Sequence, residues 1–285
     1  MSSSDKNYQD AIKANIEVHT RLATGYNTNE PHFRAESIDR VKRIVENIVK
    51  ELKPVHVLDL GCGTGFMINI LKQYVPNITG VDVTQAMMDL VDKTGNAKIE
   101  LINSDTGTVA LKAEHYDMAT AYTFLDHLYD MMPTFNNTYK ALKKGGKFYA
   151  DLSPNYFFWK AFKELNAKEK YSQEVTRELN AVLSKDEEIE REFGIKKETF
   201  QKAEFQKHIK GGLNEDEVRK QLMQAGFTKV EFVYHWFVGQ AHLVNDPANA
   251  REKNVQQANF VHTSLINMLP LSRHLFKYVG FIATK

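Results

Sequence analysis

Short apolar runs alternate with longer segments of helical periodicity along the first half of the chain. From Ser37 to Leu52, Ile, Val and Leu side chains recur every three or four residues, which predicts an amphipathic helix that ends before Pro54. The run Val55–Leu60 follows and is mostly apolar, as is typical of a strand buried on both faces. The same alternation continues to about Leu152.

Four further strands are predicted in this part of the chain, at residues 78–83, 99–102, 116–123 and 147–152. The segments between them have helical periodicity, and Thr84 is expected to cap a helix that runs through Val91. Strands that alternate with helices form a parallel sheet with helices on both faces. Right-handed crossovers make such a sheet doubly wound, so the pattern predicts an α/β fold.

The pattern changes after Leu152. Residues 160–198 are rich in charged residues of both signs, which is typical of exposed helix faces. We therefore expect a helical insertion, whose place directly after a strand also allows it to cover the carboxyl edge of the sheet as a lid. Tyr156–Trp159, at its start, either packs under the insertion or walls a substrate pocket. Residues 200–210 are compatible with a strand or a helix.

Regular periodicity returns between Asn214 and Gly226, which predicts a helix with a cap at each end. Strands are expected at residues 232–234 and 275–283, and the long connection between them must contain a helix, at about 252–269. The chain then divides as follows: an N-terminal cap segment (1–36), a core (37–152), an insertion or lid (153–212), and the C-terminal part of the sheet (213–285) with a second insertion at about 236–273.

A loop with three glycines, Gly61-Cys62-Gly63-Thr64-Gly65, joins the first strand to the next helix and is called the glycine loop below. Glycines let the backbone approach a ligand closely and present N–H groups at a helix N-terminus. The fingerprint of dinucleotide-binding proteins needs a third glycine where this chain has Phe66. Asp82 ends the second strand, 21 residues after Gly61, where a carboxylate can accept hydrogen bonds from both hydroxyls of a ribose.

Residues Val57–Gly65, with Asp82 at the end of the next strand, closely resemble the first motif of the class I S-adenosylmethionine-dependent methyltransferases. Similar matches to this family are Ser104–Thr106 after the third strand, the fourth-strand region Tyr116–Leu128, the turn Leu142–Lys147, in which Lys144 replaces the usual proline, and Leu222–Phe227. The resemblance covers residues 38–152 well, and 213–234 and 275–285 less closely.

This resemblance implies a Rossmann-like methyltransferase fold, with seven mostly parallel strands in the order 3-2-1-4-5-7-6, an antiparallel last strand and helical insertions. It also implies S-adenosyl-L-methionine as the cofactor. The cofactor-binding residues that it implies, together with their neighbours at the strand ends, are Tyr26, Asp59, Gly61, Cys62, Gly63, Gly65, Asp82, Val83, Met87, Asp105, Thr106, Ala121, Tyr122 and His127.

The resemblance assigns separate roles to some of these residues. Asp82 would bind the ribose, Asp105 would meet the adenine amine, and the ring of Tyr26 would face the sulfonium, since an aromatic face attracts a cation. His127 either contacts cofactor or substrate or makes a structural hydrogen bond. His127 and Tyr26 are the catalytic candidates, while Cys62 is expected to be a small spacer beside the cofactor.

Composition excludes several classes of protein. The 285 residues are 42% hydrophobic and 26% charged, as in globular proteins, and no apolar run reaches the roughly 20 residues that cross a bilayer. The start of the chain lacks the apolar segment of a secretory signal, so we expect a cytoplasmic location and no membrane partner. The single cysteine allows no internal disulfide, and the scattered histidines predict no metal site. A net charge of +1 disfavours nucleic acid as a partner.

The main hypothesis from the sequence is methylation of an oxygen, nitrogen or carbon atom on a small molecule, by a monomer or a homodimer. Three alternatives remain: a protein or RNA methyltransferase, a protein that binds S-adenosylmethionine without catalysis, and a nicotinamide-dependent dehydrogenase. Phe66 disfavours the dehydrogenase, and the balance of acidic and basic residues disfavours an RNA substrate.

Overall fold

The computed structural model describes residues 3–166, 168–244 and 251–285. Residues 1–2 of the predicted cap segment, residue 167 of the first predicted insertion and residues 245–250 of the second lie outside the described residues. The strands are β1 (His56–Leu60), β2 (Asn77–Asp82), β3 (Lys98–Asn103), β4 (Tyr116–Tyr122), β5 (Leu142–Pro154), β6 (Lys229–Phe237) and β7 (Phe276–Thr284).

These strands form one seven-stranded sheet in the order β3-β2-β1-β4-β5-β7-β6. The strands from β1 to β5 pair in parallel, whereas β7 runs antiparallel between β5 and β6. Both the predicted strand order and the doubly wound class are confirmed. The nearly continuous apolar residues of β1 and β4 are buried on both faces, because helices cover each side of the sheet.

The helices are α1 (Ser3–Leu22), α2 (Tyr26–Asn29), α3 (Ala35–Leu52), α4 (Phe66–Leu71), α5 (Gln85–Met88), α6 (Met132–Ala141), α7 (Tyr156–Lys163), α8 (Gln173–Phe193), α9 (Lys197–Ala203), α10 (Phe205–His208), α11 (Glu215–Ala225), α12 (Gln240–Val244) and α13 (Arg251–Asn267). Single 3₁₀ turns lie at Ala23–Gly25, Pro31–Phe33, Leu125–His127 and Arg273–Leu275. The segment 200–210, which the sequence left undecided, is helical.

The predicted caps of α11 are both present. The Asn214 side chain accepts a hydrogen bond from the Asp216 N–H at 3.0 Å, and Gly226 ends the helix in the left-handed conformation. The prediction of a helix from Thr84 through Val91 is wrong in its extent, since α5 ends at Met88. After Met88 the backbone hydrogen bonds join residues three apart, as in a 3₁₀ turn. One of them runs from the Val91 N–H to the Met88 carbonyl, and the α-helix therefore ends early.

Two apolar layers hold the sheet from opposite sides. On one side, the rings of Phe135 on α6, Phe148 on β5 and Phe281 on β7 pack edge to face and are fully buried. On the other side, Val41 of α3 and Met67 of α4 belong to the cluster that covers β1 and β2. The carboxyl ends of the central strands are therefore fixed from both faces.

The first insertion packs against the N-terminal helix. Ala14 and Val18 of α1 form a buried cluster with Phe200 and Ala203 of α9 and with Ile195 just before it. Within 153–212, Phe158 and Trp159 of α7 are buried against Leu179 of α8 in a separate cluster. Of the two interpretations of Tyr156–Trp159, the structure supports packing under the insertion.

Candidate functional site

One cavity lies at the carboxyl ends of β1 to β4, and α1 and α2 cover it. The empty space between its lining atoms is about 880 Å³, including the part that is open to solvent. It is lined by Tyr8, Ala11, Ile12, Asn15, His19, Tyr26, His32, Gly61, Cys62, Gly63, Thr64, Phe66, Asp82, Val83, Thr84, Met87, Asp105, Thr106, Tyr122, Thr123, Phe124, His127, Leu128 and Tyr129.

The structure brings most of the sequence-predicted site residues to this cavity. Those that line it are Tyr26, Gly61, Cys62, Gly63, Asp82, Val83, Met87, Asp105, Thr106, Tyr122 and His127. The other three predicted residues do not line it. Asp59 is bound to the neighbouring strand β4, where its Oδ1 accepts a 2.7 Å hydrogen bond from the Thr120 hydroxyl. Gly65 caps α4 and packs on Val91, and Ala121 faces the apolar core.

The glycine loop needs its glycines for two physical reasons. Gly61, Gly63 and Gly65 all have positive φ angles, of 65°, 49° and 89°, which side chains with a Cβ atom rarely adopt. A Cβ atom on Gly61 would also lie 2.0 Å from Cδ2 of Phe124, so the backbone passes directly beneath that ring. The loop therefore forms the floor of the cavity and Phe124 one of its walls.

The carboxylate of Asp82 is fixed by backbone N–H groups on both sides. Its Oδ2 accepts from the Gly63 N–H at 2.9 Å, and its Oδ1 accepts from the Thr84 N–H at 2.8 Å. Burial raises the pKa of Asp82, and these two hydrogen bonds oppose that rise. Each carboxylate oxygen has a second lone pair, so Asp82 can still accept two hydrogen bonds from a ligand.

Asp105, after β3, contacts α1 directly. Its Oδ1 accepts from the Gly107 N–H at 2.8 Å, and its Oδ2 accepts a short hydrogen bond from the hydroxyl of Tyr8. Burial and this carboxylate raise the pKa of Tyr8, which stays protonated and donating. Sequence reasoning missed Tyr8, because nothing in a polar helix indicates which distant residue its single tyrosine reaches.

The segment from Tyr26 to Phe33 docks on the glycine loop and on β4. Asn27 accepts a 2.5 Å hydrogen bond from the Thr64 hydroxyl. The Tyr26 ring lies 5.8 Å from that of His32, which in turn lies 5.2 Å from the Phe66 ring. Sequence reasoning assigned Tyr26 to the site but did not identify His32 and Phe66 as cavity residues.

His127 makes a structural hydrogen bond and also lines the cavity, so the two alternatives from the sequence are not exclusive. Its Nδ1 lies 2.9 Å from the carbonyl oxygen of Ala203, and its ring packs edge to face on that of His19. Asn15 of α1 donates a 3.1 Å hydrogen bond to the carbonyl of His127. These contacts tie α1, α9 and the end of β4 together at one end of the cavity.

A buried ionic network supports the cavity wall next to Tyr122. Asp151 at the end of β5 accepts from Arg40 at 2.9 Å and from the Tyr149 hydroxyl at 2.5 Å, while His235 Nε2 lies 3.2 Å from its other oxygen. Arg40 also reaches the Tyr122 hydroxyl, at 3.5 Å. Burial alone would raise the pKa of Asp151. The charge of Arg40, together with His235 and the hydrogen bonds from Tyr149 and the Leu152 N–H, outweighs burial and lowers the pKa.

Within residues 3–166, 168–244 and 251–285, no group of three or more His, Cys, Asp or Glu side chains is arranged to hold a metal ion. No helix in that part of the chain has the length and apolar character needed to span a bilayer. Cys62 is buried, and burial raises the pKa of its thiol, which disfavours a nucleophilic thiolate there.

Sequence comparison finds relatives for the central part of the chain. Residues 58–150 match the family model described as a methyltransferase domain. A ubiquinone biosynthesis O-methyltransferase of Coxiella burnetii is 30% identical over 121 residues, which are 41% of this chain and 51% of that protein. The 18S rRNA (guanine(1575)-N(7))-methyltransferase of Saccharomyces cerevisiae is 30% identical over 149 residues, or 45% of this chain and 54% of that one. The chain thus spans about half the length of the curated relatives it matches.

Structural comparison covers the rest of the chain. The crystal structure of the plantazolicin methyltransferase BpumL, in complex with a monoazolic desmethylPZN analog and SAH, aligns over 100% of this chain and 99% of that one. The TM-score is 0.55 and the sequence identity is 13%, so this similarity establishes a shared fold.

Proposed function

We propose that this chain, whose residues 58–150 belong to the class I S-adenosylmethionine-dependent methyltransferase family, transfers a methyl group from S-adenosylmethionine to a small molecule. The observation that carries the proposal is the register of three features in one cavity. The glycine loop follows β1, Asp82 ends β2, and Asp105 follows β3. These strands are neighbours in the sheet, so the three features line up across its edge.

That register matches the parts of the cofactor in order. Adjacent strands are about 4.8 Å apart, so a nucleoside laid across the ends of β3, β2 and β1 meets each feature in turn. Asp105 would accept from the adenine amine with lone pairs that Tyr8 and Gly107 leave free. Asp82 would accept from the two ribose hydroxyls, and the N–H groups of the glycine loop would face the rest of the molecule.

The charges around the cavity suit a ligand with a positive sulfur. Asp59 lies in β1, just before the glycine loop, and its buried Oδ2 has no hydrogen-bond partner among the described residues. Burial, with a smaller effect of the Asp82 charge, raises the pKa of Asp59 to about 7. A cation bound above the loop would favour the ionised form of this carboxyl. Tyr26 offers the cation an aromatic face in addition.

The chemistry divides between cofactor and protein. When bound, S-adenosylmethionine supplies a methyl group activated by the adjacent positive sulfur. The chain holds the acceptor in line with that methyl group and excludes water, and such positioning is a large part of the rate in transfer reactions. The apolar walls formed by Ile12, Phe124 and Leu128 suit both tasks.

The cover formed by α1 favours a small acceptor. Tyr8 and Asn15 tie α1 to the ends of β3 and β4, so an acceptor must fit into the cavity beneath the helix. A base of a folded RNA or a side chain of a folded protein would have to displace it. The net charge of +1 gives no general attraction for RNA, although one relative carries an rRNA methyltransferase name. The O-methyltransferase name of the Coxiella relative favours an oxygen acceptor.

Cofactor selectivity is the first test. Calorimetric titration is expected to show micromolar binding of S-adenosylmethionine and of its demethylated product, S-adenosylhomocysteine, and no comparable binding of NAD or NADP. Phe66 stands where the third glycine of a dinucleotide site is needed. Tighter binding of a nicotinamide dinucleotide would reject the proposal. Binding without methyl transfer to any molecule of a metabolite extract, followed with a labelled methyl group, would instead favour the non-catalytic alternative.

A second prediction concerns the cover. Adding S-adenosylhomocysteine is expected to slow amide hydrogen exchange in α1, α2 and the glycine loop, since the ligand stabilises the closed arrangement. The helix α7, which starts the first insertion, is the internal control. It lies outside the cavity lining, so its exchange should not change, contrary to the expectation from the sequence that residues 153–212 form part of a lid. Protection of α7 without protection of α1 would contradict this assignment of the cover.

A further inference from the structure

Two imidazole rings pack edge to face at one end of the cavity. His19 lies in the last turn of α1, and His127 lies in the 3₁₀ turn after β4. Their ring centroids are 4.8 Å apart with the planes at 89°, and both side chains line the cavity. The His19 ring also lies 6.3 Å from the Tyr26 ring, so it neighbours both catalytic candidates from the sequence. Sequence reasoning singled out His127 but gave His19 no role.

The hydrogen bonds of the two rings define their tautomers. Nδ1 of His19 lies 3.0 Å from the carbonyl oxygen of Asn15, and Nδ1 of His127 lies 2.9 Å from that of Ala203. A carbonyl oxygen only accepts hydrogen bonds, so Nδ1 carries the hydrogen in both rings. In the neutral form of His19 the Nε2 atom is therefore unprotonated, which is the state that a proton acceptor needs.

The strand order places this pair on the acceptor side of the cofactor. In the proposed position of the cofactor, adenine lies at β3, the ribose at β2 and the sulfur at the loop after β1. His127 follows β4, so it lies one strand beyond the sulfur. The helix α1 runs across the edge of the sheet in the same direction, from β3 towards β4. Tyr8 contacts Asp105 after β3, and His19 follows 11 residues later, or about 16 Å along the helix. This rise agrees with the distance from β3 to β4, which is three strand spacings or about 14 Å.

We propose that His19 is the general base of the methyl transfer, and hence that the acceptor carries a hydroxyl group that loses its proton on methylation. This inference rests on the proposed function. The acceptor oxygen forms the new bond to the methyl carbon and displaces the thioether sulfur, which keeps the electrons of the broken C–S bond. The proton of the hydroxyl passes to Nε2 of His19 and later to water. One positive charge disappears at sulfur as another appears on the imidazole, so the charge of the cavity is conserved.

The surroundings of His19 fit this role better than those of its neighbours. Burial, together with the charge of His127, lowers the pKa of His19 to about 4, while the Asn15 carbonyl and the charge of Glu204 oppose the shift. The ring is therefore neutral near pH 7, which leaves the lone pair of Nε2 unprotonated. Burial raises the pKa of Tyr26, so its hydroxyl stays protonated and is no base. His127, packed edge to face, positions the His19 ring.

The tautomer is measurable without any acceptor. In protein labelled with nitrogen-15 at histidine and bound to S-adenosylhomocysteine near pH 7, the Nε2 resonance of His19 is expected at the position of an unprotonated ring nitrogen, with the hydrogen on Nδ1. A hydrogen on Nε2 would overturn the proposal, because that atom then has no lone pair for the acceptor's proton. The His19→Gln variant identifies the resonance.

The base role is tested with two phenols of similar shape, catechol and 4-nitrocatechol, the second of which is far more acidic. In His19→Gln, methylation of catechol is expected to fall by about 100- to 10,000-fold, and that of the already ionised nitrocatechol by less than about tenfold. Binding of S-adenosylhomocysteine should stay within about threefold, because the hydroxyl, and not the cofactor, is the partner of His19. The control is His115→Gln, which alters an imidazole that packs at a tilt on His56, outside the cavity lining.

Equal losses with the two phenols would show that His19 positions the acceptor and would overturn its role as base. Wild-type protein that binds S-adenosylhomocysteine but methylates neither phenol would reject the hydroxyl acceptor, and the inference with it, while the cofactor part of the proposed function stands. Absence of cofactor binding would reject the proposed function itself.

Discussion

Replacing Asp82 by alanine is expected to weaken the binding of S-adenosylhomocysteine by about 30-fold or more, with the fold retained. A hydrogen bond to a charged group contributes about 1.5–3 kcal/mol, and a ribose diol offers two. In the wild type the N–H groups of Gly63 and Thr84 donate to Asp82, and these hydrogen bonds help to hold the glycine loop in place. The variant loses both of them. Calorimetric titration measures the dissociation constant, and circular dichroism confirms folding.

Asp89→Ala is the matched control, because it removes an exposed carboxylate at the end of α5 that bonds only to Gln85 in the described contacts. The affinity of the Asp89→Ala variant for S-adenosylhomocysteine should equal that of the wild type. Affinity for the cofactor product should also fall as the pH drops through the raised pKa of Asp82, since a protonated carboxyl accepts fewer hydrogen bonds. An unchanged dissociation constant in folded Asp82→Ala would mean that another group binds the ribose.

Replacing Asp151 by asparagine is expected to lower the free energy of unfolding by about 3–5 kcal/mol, the usual result of removing one partner of a buried ion pair. The Asp151 side chain is fully buried, with Arg40 and His235 on its two oxygens. Asparagine keeps the shape but leaves the guanidinium without its counter-charge. Urea denaturation near neutral pH measures the change.

Glu51→Gln provides the comparison for Asp151→Asn. Glu51 pairs with Lys147 at 2.5 Å, but its side chain is 62% exposed, so the loss should not exceed about 1 kcal/mol. A similar loss of unfolding free energy in the two variants would show that the Arg40–Asp151 pair is solvated in solution. The pair would then not support Tyr122 in the way that the Arg40–Tyr122 contact indicates.

The first insertion shows a question about the site that the sequence left open. Its aromatic start, at Tyr156–Trp159, follows β5 at the correct edge of the sheet, so the sequence allowed either packing under the insertion or a wall of the cavity. In the structure Phe158 and Trp159 turn away to cover α8, while Ile195 and Phe200 pack behind α1. The insertion thus supports the cover without bordering the cavity, a difference that depends on which partner each apolar face meets.

The sequence by itself predicted the parallel sheet and most of the residues that border the cavity at the edge of β1 to β3. Mostly apolar runs such as Val57–Leu60 indicate buried strands, and their alternation with helices predicts a doubly wound parallel sheet. The order of the strands came from the family resemblance. The glycines of the loop and Asp82 are local features, because each residue's role depends on its own backbone and on the strand that carries it.

Only the tertiary structure decided what covers the cavity and which groups face the acceptor. Tyr8 meets Asp105 across 97 residues, and Asn15 meets the His127 carbonyl across 112. Helical periodicity shows which face of α1 is buried but not what it is buried against, because an apolar stripe can pack on any apolar surface. The pairing of His19 with His127, and the tautomers that make His19 a base, therefore became visible only when α1, α9 and the end of β4 came together.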